Sequence, residues 1–65
     1  MIERHKFKTG QSVVFSPNRH EDRSARGFYT IVRPLPDDRG MPQYRIRADR
    51  DGHERLARED QLAHL

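Results

Sequence analysis

Apolar residues gather in three short clusters separated by turn formers: Ser12-Val13-Val14-Phe15, Gly27-Phe28-Tyr29-Thr30-Ile31-Val32 and Gln43-Tyr44-Arg45-Ile46-Arg47-Ala48. The third alternates cleanly and predicts a half-buried strand, with Tyr44, Ile46 and Ala48 turned to a core and Gln43, Arg45, Arg47 and Asp49 turned away. In the first cluster the β-branched pair followed by Phe15 predicts a strand entered through a bend at Gly10, with Val13 and Phe15 on one face and Val14 on the other. The second places Tyr29 and Ile31 on one face and Phe28 and Val32 on the other. A strand that is apolar on both faces lies between two layers or turns a corner, and Gly27 would permit the bend.

The segments between these clusters predict the connections. Residues 16–26 are polar throughout, begin with Ser16-Pro17-Asn18, and read as a long, mobile loop. Pro34, Pro36 and Pro42 exclude a helix or a central strand from residues 34–42, leaving a turn-rich loop with Asp38-Arg39-Gly40 at its tip. Asp51-Gly52 predicts a type I′ hairpin, with residues 53–57 returning as the partner strand and Leu56 in the core. Arg58-Glu59-Asp60-Gln61-Leu62 predicts one 3₁₀ or helical turn, with Leu62 closing one end of the domain. A helix over residues 53–65 competes, since Glu, Arg, Leu and Ala favour it. Leu56, Leu62 and Ala63 make a poor helical stripe, however, and Asp51-Gly52 favours the hairpin.

Composition narrows this picture. Sixty-five residues allow one domain, and a chain so short buries a small share of its surface, so its stability margin is thin. The candidate core is Phe7, Val13, Val14, Phe15, Phe28, Tyr29, Ile31, Val32, Leu35, Tyr44, Ile46, Leu56 and Leu62. With no cysteine there is neither a disulfide nor a thiolate metal site to reinforce it, and the chain must fold on packing or self-association. Residues 1–6 are charged and aperiodic, and are expected to be a flexible N-terminus ahead of a domain over 7–65. No apolar run reaches membrane-spanning length, and the N-terminus lacks the apolar core of a signal peptide, so the expectation is a soluble cytoplasmic protein.

These elements predict an all-β chain of four to five short antiparallel strands with a closing 3₁₀ turn. Four motifs carry a resemblance to SH3-like barrels: F-x-x-G-x-x-V from Phe7 to Val13, G-x-Y-x-I-V from Gly27 to Val32, Q-Y-R-I from Gln43 to Ile46, and E-x-x-L from Glu59 to Leu62. The chain resembles small SH3-like barrel proteins of proteobacteria and, more distantly, the KOW modules of ribosomal and transcription proteins. The resemblance implies a single small barrel. The layout is also similar to the plasmid-type, trimethoprim-insensitive dihydrofolate reductases, whose pore strand carries Val-Gln-Ile-Tyr. Here His53-Glu54-Arg55-Leu56-Ala57 keeps neither the glutamine nor the tyrosine, which argues against a reductase.

Thirteen basic residues against ten acidic ones give a net charge of +3, and arginine dominates the basic set. Arginine's planar fork suits phosphate, carboxylate and base stacking, although a high-GC genome also enriches arginine codons. The predicted strands set Arg45 and Arg47 outward beside Arg55, with Arg33 at the end of the second strand and Phe28 as the aromatic best placed to be exposed. Such a face could contact successive phosphates with Phe28 as a stacking platform; equally, Asp49, Glu54 and Glu59 could pair with the arginines and leave an ordinary solvated surface. His5, His20, His53 and His64 match no metal-ligand spacing, Ser12, Ser16 and Ser24 lack an activating context, and the glycines are scattered singly. The expectation is therefore a non-enzymatic module without cofactor, metal or small-molecule substrate, contacting RNA or DNA backbone or a ribonucleoprotein. The alternative is a protein-interaction module that binds an acidic protein or a second copy of itself.

Overall fold

The computed structural model describes residues 5–65, and Met1–Arg4, part of the expected flexible N-terminus, lie outside that range. The chain is all-β. Strands β1 (Ser12–Phe15), β2 (Gly27–Asp38), β3 (Met41–Ala48), β4 (Glu54–Arg58) and β5 (Leu62–His64) form one antiparallel sheet in the order β4-β3-β2-β1-β5. Two 3₁₀ turns, Arg23–Ala25 and Glu59–Gln61, complete the secondary structure, and the second falls where the sequence predicts it. The competing helix over 53–65 is replaced by β4, this turn and β5.

β4 and β5 do not pair with each other, so the sheet is open rather than a hydrogen-bonded barrel. It is strongly curled all the same. The Arg55 guanidinium on β4 lies 4.6 Å from the centroid of Phe15 on β1, although β3 and β2 intervene in the sheet. A flat sheet with strands about 4.8 Å apart would hold these positions roughly 14 Å from one another. The curl gathers Phe7, Val13, Phe15, Tyr29, Ile31, Tyr44, Ile46, Ala48 and Ala57 into one buried core, with Ala25 and Leu62 packed against it.

Several expectations change. Leu56 is 53% exposed and not a core residue, because the register pairs Ile46 with Arg55 and Tyr44 with Ala57. With side chains alternating, Arg55 and Ala57 face inward and Leu56 outward. Phe28 is exposed, and Val14, Val32 and Leu35 are only half-buried, since they stand on the outer face or beyond the core. The predicted loop over 34–42 is instead the distal half of the β2–β3 hairpin. Its prolines are tolerated because backbone bonds on the β1 side of β2 end at Ile31 and β4 pairs with β3 only from Gln43, so Pro34, Pro36 and Pro42 all lie where their strand has one neighbour and a missing N–H on the free side breaks no ladder.

The hairpin turns are also reassigned. Positive φ at both central residues occurs at Arg39 (53°) and Gly40 (84°), the predicted tip of that extended hairpin. At the β3–β4 connection only Gly52 has positive φ (77°), so this is not the expected type I′ turn. Ala48 instead accepts from Gly52 N–H at 2.8 Å and donates to His53 O at 2.8 Å, and the Asp51 carboxylate accepts from His53 N–H at 3.0 Å. That side-chain hydrogen bond gives Asp51 a local partner at ordinary φ.

The N-terminal segment is tied to the closing turn through Tyr44. Its hydroxyl accepts from Phe7 N–H at 3.2 Å and donates to Glu59 Oε2, which also accepts from Lys6 N–H at 2.8 Å. Burial, reinforced by the hydrogen bond to Glu59, pushes the Tyr44 phenol from its ordinary value of 10.0 up to about 12. The folded state thus holds this proton more tightly than the unfolded chain. The resulting stabilisation is complete below pH 10 and is lost as pH rises towards 12. Thermal midpoints of the wild type should therefore fall as pH climbs through this window, and those of Tyr44→Phe should fall less. Equal alkaline slopes in circular-dichroism melts would remove Tyr44 as the cause.

Candidate nucleic-acid interface

The outer face of β2, β3 and β4 carries most of the expected site. Register places Arg33 opposite Arg45, and Arg47 between Thr30 and Glu54, so all three arginines share that face. A bulge at Val32 brings this about: Ile31 pairs with Ile46 while Arg33 pairs with Arg45. One extra residue shifts Arg33 onto the outer side of β2. Phe28, 60% exposed, lies on the same face opposite Val14 and diagonal to Arg47.

Carboxylates neutralise this face only in part. Glu54 stands 3.6 Å from Arg45, an ion pair in which both side chains are more than 40% exposed, so its energetic weight is small. Asp49 accepts from the Thr30 hydroxyl at 2.8 Å. Arg33 and Arg47 have no ion-pair or side-chain hydrogen-bond partner among the described residues.

Arg55 does not belong to this set. Expected beside Arg45 and Arg47, it faces inward over the Phe15 ring, with Nη2 3.2 Å from Glu21 Oε2. Glu21 also accepts from Gln61 Nε2 at 2.7 Å and from Asn18 N–H at 2.9 Å. The segment over 16–26, expected to be mobile, is thereby fastened to β4 and the closing turn. Tyr29 adds a hydrogen bond from its hydroxyl to Ala25 O at 2.7 Å, and Arg50 donates to Ser24 O at 2.8 Å.

Folding this loop down creates a feature that the strand pattern does not reveal. A pocket of about 330 Å³ opens between the Arg23–Ala25 turn, the start of β2 and the end of β3. Buried Tyr29 and Ala48 form its floor, Ala25, Gly27 and Phe28 its sides, and Arg26, Asp49 and Arg50 its rim. Its lining comes from two segments, 25–29 and 48–50, that β2–β3 pairing brings together, and the Arg23–Ala25 turn closes it through the Tyr29–Ala25 and Arg50–Ser24 hydrogen bonds, a placement that periodicity does not signal. The histidines stay apart: His5 bonds Leu35 O, His53 bonds Asp51, and His64 bonds Gln11. Among the described residues no group of three or more His, Asp or Glu is arranged to hold a metal ion, and no helix is long and apolar enough to cross a membrane.

In comparisons with known proteins, no family model, curated protein or solved structure gives a significant match to the chain.

Proposed function

We propose that the protein is a non-enzymatic binding module whose outer β2–β3 face contacts the phosphate backbone of RNA or DNA. One observation carries this reading: Arg33 and Arg47 project from the same face without carboxylate partners among the described residues, next to an exposed aromatic ring. An arginine held in an ion pair must give up that partner to meet a phosphate. An unpaired arginine binds phosphate without that exchange, and a neighbouring aromatic adds sequence-tolerant stacking.

Counterion release makes the test quantitative. Affinity for a random oligonucleotide, followed by fluorescence anisotropy, should fall steeply as salt rises. Arg47→Ala should weaken binding evenly across sequences and reduce the slope of log K against log salt by about 1. Arg47 is exposed and unpaired, so the variant should melt like the wild type. Weak binding with a flat salt response would exclude this function. It would favour the second reading, an interaction module for an acidic protein or a second copy, which the exposed Leu56 beside Arg45 supports. In that case light scattering should show a concentration-dependent mass that survives Arg47→Ala.

A further inference from the structure

We infer that the pocket beside Phe28 accepts one unpaired base of a single-stranded nucleic acid, and that Asp49 makes guanine the preferred base. This rests on the phosphate-binding reading above and adds what that reading lacks, a site able to distinguish single strands from duplex and one base from another.

Three properties of the pocket lead to this occupant. Its volume of about 330 Å³ is at the small end of ligand-binding cavities, which suits one flat heterocycle. Its walls are mostly apolar, and Phe28, 60% exposed, offers a ring against which a base can stack. Its rim carries two arginines to the one Asp49 carboxylate: the Arg26 side chain has no partner among the described residues, and Arg50, although it donates to Ser24 O and stands 3.9 Å from the Asp51 carboxylate, remains two-thirds exposed. Together with Arg47 on the adjoining face, these charges favour an anionic ligand and disfavour a lysine or alkylammonium group. Flanking phosphates can run from the rim to the outer arginines while the base between them enters the pocket. A base within a duplex cannot do so without leaving its stack.

Asp49 supplies the selectivity. Its Oδ1 already accepts from the Thr30 hydroxyl at 2.8 Å, which fixes the carboxylate at the rim. A carboxylate only accepts hydrogen bonds. Guanine presents two adjacent donors, N1–H and the 2-amino group, that can meet both oxygens at once. Adenine and cytosine offer a single amino group beside a ring-nitrogen acceptor, and thymine or uracil offers one N–H flanked by carbonyl oxygens that the carboxylate repels.

The test uses the full chain and labelled DNA strands of about eight nucleotides, a length in the range small β domains cover. One central position is varied among the four bases, and a matched duplex is included. The guanine strand should bind about tenfold more tightly than the thymine strand, the discrimination a good bidentate contact provides. All single strands should bind more tightly than the duplex. Phe28→Ala should lose about tenfold for single strands and little for duplex. Asp49→Asn should bring the guanine-to-thymine ratio close to one, even if removal of a negative charge strengthens binding overall. If binding is salt-dependent but equal for duplex and all four strands, the pocket assignment is wrong and the phosphate-binding reading stands. If no strand binds with a salt slope, both are wrong.

Discussion

Tyr44→Ala is expected to cost about 3–5 kcal/mol and to leave the chain largely unfolded at 25 °C. Tyr44 has no solvent exposure and meets Phe7 and His5 edge-on, with ring centroids 5.6 and 5.1 Å away. Truncation leaves a cavity beneath the N-terminal segment, where Tyr44 packs against Phe7 and His5. It also strands Phe7 N–H and removes the donor to Glu59, freeing the segment that covers this side of the core. A domain of this length has a total stability of roughly 3–10 kcal/mol, so one such loss is comparable to the whole margin. Tyr44→Phe keeps the ring and should cost only about 1–2 kcal/mol for the unsatisfied partners. Urea titrations followed by circular dichroism measure both variants. A cooperative Tyr44→Ala transition close to that of the wild type would show that the core does not depend on this ring.

The period-two pattern made much of this core legible in advance. Val13, Phe15, Tyr29, Ile31, Tyr44, Ile46 and Ala48 all lie on the side their alternation assigns, while Phe28, counted both with the core and as the aromatic best placed to be exposed, is exposed. Alternation misleads at β4 because hydrophobicity and register disagree there. Leu56 is the most apolar residue of the strand, yet register against β3 turns it outward, and Arg55 takes the inner place by laying its stem and guanidinium over Phe15. Prolines misled at residues 34–42 because a proline prohibits a central strand but not one whose second neighbour has ended. The outer arginines were largely readable, except that Arg33 owes its face to the bulge at Val32, which has no glycine to mark it. The pocket was not readable at all. It depends on the Arg23–Ala25 turn folding back onto Tyr29 and Arg50, within a segment that Glu21 fastens to Arg55 and Gln61 across 34 and 40 residues.

That meeting point provides the second large effect. Arg55→Ala should cost about 2 kcal/mol, combining a cation–π contact, the packed stem and a charge-assisted hydrogen bond to Glu21, offset by release of an Nε that is buried without a partner. For a domain of this size the loss lowers the thermal midpoint by roughly 10 °C. Arg55→Met retains the stem over Phe15 and should recover part of it. The acid limb separates the charge contribution from the packing. The hydrogen bond from Asn18 N–H, with further help from Gln61 and Arg55, holds the Glu21 carboxyl below its ordinary value of 4.5. Stability linked to this group is therefore present above pH 4.5 and lost as pH falls through the depressed folded-state value. Wild-type and Arg55→Ala midpoints should draw together in that acid range, whereas a pure packing defect would keep them equally far apart. Because Arg55 lies on the inner face, its loss should leave affinity for duplex DNA, which does not enter the pocket, unchanged at a temperature where both proteins are folded, the reverse of Arg47→Ala. A fall in affinity matching that of Arg47→Ala would return Arg55 to the binding surface and refute the division of roles between the two faces of the sheet.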